Sequence, residues 1–219
     1  MNVSHIIYKV DDLDKAVASF ERKGFQVEYG SKNKPHNALI YFSEGPYIEL
    51  LKNAPVPFYK KVLLNILGKR KVVERIYRWE NAAEGIVDIC LENCGWDFNQ
   101  VERILKRYNQ KYFITNSKRL DPSDRLLKWK LLFPHELRIP FLMTYFNIDP
   151  KPDKIIHPNG TKRIKSISYG ITEELIPFIQ ELCDDEMLTL FVGNGITNLL
   201  YDQVLPDADE GQNAKRLYS

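Results

Sequence analysis

Two short apolar segments carry the side chains best suited to chemistry. One reads HIIYKV from His5, and the other reads YIELL from Tyr47. Both alternate as β-strands do, so His5 shares one strand face with Lys9, and Tyr47 shares one with Glu49. The residues between them are apolar and suit packing beneath a helix. The sequence therefore predicts these four side chains on the opposite, concave face of a sheet.

Glu49 is the residue on this face that most needs a partner. It stands between Ile48 and Leu50, and a mid-strand carboxylate is costly to bury unless it is paired, hydrogen-bonded or metal-bound. An imidazole from His5 facing it would complete two ligands for a divalent cation such as Zn²⁺, Mn²⁺ or Fe²⁺. Alternatively, Glu49 pairs with Lys9 or a tyrosine and His5 is a satisfied residue at a barrel edge. Spacing alone favours this alternative.

Two further residues are candidates for substrate contact. If Glu44–Gly45 forms a two-residue turn, Ile40 lies opposite Glu49. His36 then lies on the same face, roughly 13 Å further along at about 3.4 Å per residue, too far to share an ion but suited to a cavity mouth. Trp129 alternates with lysines in LLKWKLLF, and we expect it on the buried face of its strand, where it can contact a ligand.

A β-α-β-β-β pattern occurs twice along the chain. It predicts an α+β fold with a first βαβββ module at 1–53, a helical linker at 54–83 and a second βαβββ module at 84–148. A partial third βαββ module and a tail follow at 149–219. An internal repeat of this length outweighs any local motif in predicting the fold.

Three details of this prediction can be compared with a structure. We expect KYFIT to be a strand and 116–124 to be a polar loop. The segments TLFVG and ITNLLYD, around Gly193–Gly195, predict a hairpin. The segment Pro206–Ser219 is polar, and we expect a loosely held tail.

The linker contains a basic, amphipathic segment at 58–78. Its basic residues could form a patch for nucleic acid or anionic lipid. The alternative is the solvated face of one or two helices that cover the sheet. The balanced charge of the whole chain favours the second interpretation.

Composition excludes several classes of protein. Lys plus Arg number 31 and Asp plus Glu number 29, a net charge of +2, which is too balanced for binding nucleic acid through bulk charge. No apolar run is long enough for a transmembrane helix. Three cysteines fit reduced thiols better than a disulfide framework, and the C-x₃-C spacing of Cys90 and Cys94 lacks the second pair of a structural zinc site. We therefore expect a cytoplasmic protein.

Four segments together resemble the glyoxalase-like branch of the vicinal oxygen chelate superfamily, which includes glyoxalases, bleomycin-resistance proteins and extradiol dioxygenases. They are SHIIYKVDDLDKAVASFERKGFQVEYG, HNALIYFSEGPYIELL, LKWKLLFP and HPNG. The resemblance covers about residues 4–160 and implies paired βαβββ modules whose mixed sheets curl around a cavity. It also implies a divalent metal (Zn, Mn, Fe or Ni) held on the concave face.

The resemblance implies His5 and Glu49 as the metal ligands of the first module. The second module departs from the pattern. Matching its helix without a gap places Asp88 as a possible third ligand, although Asp88 could equally be a hydrogen-bonding residue at a strand end, and an alignment with one gap places Gly85 there instead. Its last strand offers Thr144 or Tyr145 where a second Glu would be wanted.

Two functions are compatible with this sequence. The first is a metal-dependent lyase, isomerase or dioxygenase acting on a small oxygen-bearing molecule, with Glu49 and Tyr47 as catalytic residues and His36, Lys9 and Trp129 contacting the substrate. The second is a metal-free protein that binds and sequesters a small molecule. The expected partner is that small molecule, with no nucleic acid and no membrane, and the chain could form a homodimer.

Overall fold

The computed structural model describes residues 1–93 and 95–202. The predictions for Cys94 and for the tail at 206–219 lie outside these residues. The first βαβββ module and the helices after it are β1 (Asn2–Lys9), α1 (Leu13–Arg22), β2 (Glu28–Tyr29), β3 (Asn37–Ile40), β4 (Tyr47–Leu51), α2 (Phe58–Ile66) and α3 (Arg70–Asn81). The second module comprises β5 (Gly85–Asn93), α4 (Asn99–Arg107), β6 (Tyr112–Leu120), β7 (Leu126–Pro134) and β8 (Phe141–Thr144). The last unit comprises β9 (Ile164–Ile171), α5 (Ile176–Leu182), β10 (Leu188–Val192) and β11 (Gly195–Tyr201).

The two modules form one eight-stranded mixed sheet in the order β2-β3-β4-β1-β5-β8-β7-β6. β1 is parallel to β4, β5 is parallel to β8, and β1 and β5 meet antiparallel at the centre. The sheet curls so that its two edges come together. Arg119 of β6 donates to the Gly30 carbonyl just beyond β2, and Lys32 forms an ion pair with Asp124. The predicted α+β fold of paired modules around a cavity is confirmed.

Each face of the sheet has its own apolar layer. Ile6 of β1 points to the convex side, into a cluster shared with α1, α4 and the last unit. Ile7 points to the concave side, into a second cluster with Ile76 and Trp79 of α3. The helix α3 thereby fills one end of the concave side, and the rest of that side remains available for a cavity.

The register of β3 against β4 differs from the predicted one. Leu39, not Ile40, lies opposite Glu49. The connection between the strands runs from residue 41 to residue 46, so it is longer than a two-residue turn and shifts the pairing by one position. This shift places Asn37 on the same face as Glu49.

The predicted loop at 116–124 is wrong over its first half. β6 continues to Leu120, paired along its length with β7. Its exposed positions, such as Asn116 and Lys118, alternate with half-buried ones, such as Ser117 and Arg119. Polar residues and lysine suit an edge strand with a solvated face, so composition alone resembled that of a loop.

The predicted hairpin of β10 and β11 is also wrong. β9 lies between them, and each pairs with β9 instead of with the other. The connection crosses closely over β9 at Gly170, where an added Cβ would lie 2.5 Å from the Asn194 nitrogen. The missing Cβ of Gly170 therefore permits the crossing, which a local turn motif cannot reveal.

Candidate active site

His5 and Glu49 meet on neighbouring parallel strands. In the register of β1 and β4, His5 lies beside Tyr47 and Glu49 lies beside Ile7. The His5 Nε2 and Glu49 Oε2 atoms are 3.5 Å apart, and the two side chains are 5% and 17% exposed. The structure thus brings both groups to one face of the sheet, in a largely desolvated position.

Both residues line a cavity of about 590 Å³ on the concave side. Its polar lining comes mainly from β1, the β3–β4 pair and β6, whereas the lining residues of β7 and β8 are all apolar or aromatic. Those of β7 and β8 are Trp129, Leu131, Phe133, Phe141 and Met143. The volume and this mixture suit a small organic molecule with an apolar body and a few polar groups.

Hydrogen bonds orient the facing atoms of the pair. Asn37 Nδ2 donates to Glu49 Oε1 at 2.7 Å, which leaves Oε2 directed at the imidazole. The Ser4 hydroxyl donates to Glu92 at 2.8 Å and lies 3.1 Å from His5 Nδ1. Because that hydroxyl gives its proton to Glu92, it accepts from His5, and the proton of the neutral ring belongs on Nδ1. Nε2 therefore presents a lone pair to the carboxylate.

Burial also shifts the proton affinities of the pair. It lowers the pKa of His5 to about 3, so the ring is neutral near pH 7 and its contact with Glu49 is not an ion pair. Burial raises the pKa of Glu49, opposed by the Asn37 hydrogen bond and the positive charge of Arg119. The pKa of Tyr47 is raised by burial and then by Glu49, so its hydroxyl keeps its proton.

Aromatic contacts hold the imidazole in place. The Tyr47 ring stacks on His5 with centroids 4.7 Å apart and an interplanar angle of 16°. Phe141 meets the same ring edge-on at 5.5 Å. Packing on two sides fixes the ring orientation, as a functional site needs.

The other predicted site residues divide into two groups. His36 and Trp129 line the cavity. Lys9 does not belong to its lining, because its ammonium group contacts the Val10 carbonyl and Asp11. The alternative pairing of Glu49 with Lys9 is therefore not formed.

Asp88 is not brought to the pair. Its Oδ2 atom accepts from Arg75 Nη1 at 2.7 Å and from Trp79 Nε1 at 2.7 Å, and Arg78 lies 3.2 Å away. Arg75 and Asp88 are both fully buried. These contacts engage the Asp88 carboxylate in a structural network, so it does not face His5 and Glu49. Within residues 1–93 and 95–202, no cluster of three His, Cys, Asp or Glu side chains could hold a metal ion.

Strand register identifies what the second module offers instead. β1 begins its pairing with β4 at His5–Tyr47, and β5 begins its pairing with β8 at Cys90–Phe141. If these first pairs are equated, Cys90 corresponds to His5 and Met143 to Glu49. By this register a buried thiol and a thioether, two residues away from Asp88, occupy the positions of the second module.

Two polar residues of the site, Asn37 and Arg119, were not predicted from the sequence. Asn37 was missed because the register of β3 was shifted by one residue. Arg119 was missed because its strand resembled a loop. It lines the cavity, its positive charge lowers the pKa of Glu49, and it forms no ion pair within the described part of the chain.

A duplicated βαβββ sheet curled around a cavity is the fold of glyoxalase-like proteins of the vicinal oxygen chelate superfamily. The model of the Glyoxalase-like domain family matches residues 3–182, so the chain belongs to that family. No curated protein matches the chain.

The similar solved structures include those of methylmalonyl-CoA epimerases. A variant of the Streptomyces coelicolor methylmalonyl-CoA epimerase in complex with 2-nitronate-propionyl-CoA is 16% identical, with a TM-score of 0.40, and the match covers 66% of this chain and 95% of that one. A methylmalonyl-CoA epimerase in complex with methylmalonyl-CoA and NH4+ is 16% identical, with a TM-score of 0.38 and coverages of 65% and 92%. Similarity at this level carries no argument about activity.

Proposed function

We propose that this protein is a divalent-metal-dependent enzyme of the lyase, isomerase or dioxygenase type that acts on a small oxygen-bearing molecule in the cavity. The observation that carries the proposal is the geometry of His5 Nε2 and Glu49 Oε2, which face each other at 3.5 Å in a largely desolvated position. With the imidazole proton on Nδ1 and an ionised carboxylate, the two atoms would present lone pairs that a cation could share.

The donor set fits such an ion. Nitrogen and oxygen ligands lie about 2.0–2.2 Å from Zn²⁺, so two of them on one ion are a little over 3 Å apart. His5 and Glu49 would hold the metal, and the positions left open would take water and substrate oxygens. When bound, a divalent cation polarises a substrate oxygen as a Lewis acid.

The residues of the chain supply the remaining functions. Asn37 fixes the carboxylate of Glu49. When no cation shares that carboxylate, its raised pKa makes it a better proton acceptor than an exposed glutamate. Tyr47 keeps its proton and lies against His5, where its hydroxyl can donate to a substrate oxygen. Trp129, Phe141 and the other apolar lining residues exclude water from the ligand.

Metal content tests the proposal directly. Wild-type protein loaded with Zn²⁺ or Mn²⁺ and dialysed will retain about one equivalent, whereas His5→Ala and Glu49→Ala proteins will each lose it. Asn37→Ala will weaken binding by about 10- to 100-fold, because it frees the carboxylate that the amide orients. Mass spectrometry of the metals and isothermal titration measure both effects.

The control for this experiment is His135→Ala, which removes an imidazole that is outside the cavity lining. A wild-type protein that holds no more metal than His5→Ala would contradict the proposal.

The charge of Arg119 indicates the class of substrate. The Arg119 guanidinium forms no ion pair within the described residues, although its Nη1 donates to the Gly30 carbonyl, and its positive charge in a partly buried cavity favours a carboxylate. The aromatic wall at Trp129 and Phe141 suits an apolar or aromatic body. We therefore favour a 2-oxo or 2-hydroxy carboxylic acid, whose adjacent oxygens could also chelate a metal.

Arg119→Gln will weaken the binding of phenylpyruvate by about 10- to 100-fold, the effect of losing a charge-assisted hydrogen bond of about 1.5–3 kcal/mol. The neutral ketone phenylacetone will bind equally to both proteins. Quenching of tryptophan fluorescence measures the two affinities, because Trp79 and Trp129 line the cavity. Lys128→Gln, an exposed change on the neighbouring strand, is the control; equal losses for both ligands would contradict the anion role.

A second candidate function is metal-free sequestration of a small molecule. It is favoured by Cys90 and Met143 at the ligand positions of the second module and by the apolar lining from β7 and β8. A metal-free wild type that binds aromatic acids with unchanged affinity after Glu49→Gln would support this function over the first.

A further inference from the structure

The helix α2 turns its apolar side outward. Phe58 and Ile66 are 74% and 76% exposed, and Tyr59, Leu63 and Leu67 are more than half exposed. The only residue of this helix that is buried is Lys61. A surface helix normally shows the opposite arrangement, with the apolar stripe inside. An apolar surface of this kind marks an interaction site.

The orientation of α2 is held by contacts on its inner side. The Lys61 ammonium forms an ion pair with Glu80 of α3 at 2.5 Å and lies 4.8 Å from the centre of the Tyr77 ring. Both Lys61 and Glu80 are largely buried in this pair. Turning the apolar side inward would break the pair and leave two charges without partners, so the outward apolar face is part of the fold.

The surroundings of this face are positively charged. From Lys52 to Val73 the chain contains no Asp or Glu, and its basic residues are Lys52, Lys60, Lys61, Lys69, Arg70 and Lys71. Within the described residues, Lys61 pairs with Glu80, and Arg70 and Lys71 pair with Glu74. Lys52, Lys60 and Lys69 form no ion pair there, although the Lys69 ammonium lies 4.9 Å from the centre of the Phe113 ring. An occupant of the face therefore meets uncompensated positive charge.

We propose that α2 docks this protein on an anionic phospholipid surface. Phe58, Tyr59, Leu63, Ile66 and Leu67 enter the boundary between headgroups and acyl chains, and the free lysines contact the lipid phosphates. This combination of an apolar face with flanking basic residues is what membrane-surface helices use. No helix in the described ranges has the length and apolar character to cross a bilayer, so the contact is peripheral.

Charge also argues against a second copy of the chain as the occupant. A two-fold contact would bring the face onto itself and place the free lysines of one copy against those of the other. Like charges facing each other oppose association. An anionic surface instead neutralises them. This interpretation replaces the sequence-based preference for a solvated helix and for no membrane contact.

The site of contact lies at the cavity mouth. Lys60 of α2 lines the cavity together with Ala54 and Pro55, which precede the helix. A protein docked through α2 would hold this mouth close to the bilayer surface, where apolar ligands concentrate. The docking proposal stands independently of the proposed chemistry, since no residue of the His5–Glu49 pair takes part in it.

Sedimentation with vesicles tests the proposal. The wild-type protein will bind vesicles of phosphatidylcholine with added phosphatidylserine, bind pure phosphatidylcholine vesicles more weakly, and lose most binding at high salt. Phe58→Ser combined with Ile66→Ser will lower the partition coefficient by at least about tenfold, because two apolar side chains no longer enter the lipid. Lys60→Glu will lower only the additional binding that phosphatidylserine provides and will leave binding to pure phosphatidylcholine vesicles unchanged.

The control variant is Val192→Ser, which removes another apolar residue that is mostly exposed (66%), on β10; it will bind as wild type does. Unchanged thermal midpoints will show that the variants fold. Failure of the wild type to bind anionic vesicles at low salt, or equal binding by the Phe58/Ile66 variant, would overturn the proposal. So would a dimer in sedimentation velocity that the same variant abolishes.

Discussion

Arg75→Met will destabilise the protein by about 3–5 kcal/mol, the usual cost of removing one partner of a buried ion pair. Arg75 is fully buried and donates to Asp88 Oδ2 and, at 2.7 Å, to the Ile139 carbonyl. Its loss leaves the Asp88 carboxylate in a desolvated position with the bonds from Trp79 and Ile89 and the partly exposed Arg78. Urea unfolding monitored by tryptophan fluorescence will measure the change.

Two companion variants sharpen this test. Arg70→Met removes an arginine from the same helix, but one that is 82% exposed and pairs with Glu74 on the surface; it will change stability by no more than about 0.5 kcal/mol. The double variant Arg75→Met/Asp88→Asn will cost less than the sum of the single changes, because neither charge is left alone. Additive losses would show that the two residues do not act as a pair.

His5 will make the metal-free protein less stable in acid. The pKa of its imidazole is near 6.5 in the unfolded chain and about 3 in the folded protein. Between these values a fall in pH protonates His5 in the unfolded chain but not in the folded protein. The free energy of unfolding is therefore unaffected by this group above pH 6.5 and decreases as the pH falls towards 3. The slope from this one group approaches about 1.4 kcal/mol per pH unit. Urea unfolding between pH 4 and pH 8, with a chelator present, measures it.

The control is the same pH series on His5→Gln, whose stability will fall less steeply than that of the wild type. Glu49 works in the opposite direction, because its raised pKa means that the folded state gains stability as the pH falls through that pKa. Glu49→Gln will therefore steepen the loss below neutral pH. Parallel curves for the wild type and His5→Gln would refute the buried, neutral imidazole.

The sequence was sufficient to predict the facing of His5 and Glu49. Alternation over five or six residues decides which strand face a side chain takes, and the apolar residues beside them had to face the helices. The repeat then predicted that both strands belong to the same module. Local periodicity and repetition are properties that a chain displays without its tertiary contacts.

The parts that could not be predicted depend on distant residues. The partner of Asp88 is an arginine on a helix that precedes its strand, and no spacing rule connects them. The inverted orientation of α2 depends on the ion pair of Lys61 and Glu80. The amphipathic pattern identifies an apolar and a polar side but does not determine which of them faces solvent. The placement of Arg119 required the pairing of β6 with β7 along its full length.

The unequal contributions of the two modules to the cavity have a stereochemical consequence. The polar groups of His5, Tyr47 and Glu49 all come from the first module, whereas β7 and β8 line the cavity only with apolar and aromatic side chains. A planar enolate bound between the first module and the apolar side chains of β7 and β8 would have only one face towards Tyr47 and Glu49. A reaction at a prochiral carbon in this cavity should therefore yield a single enantiomer.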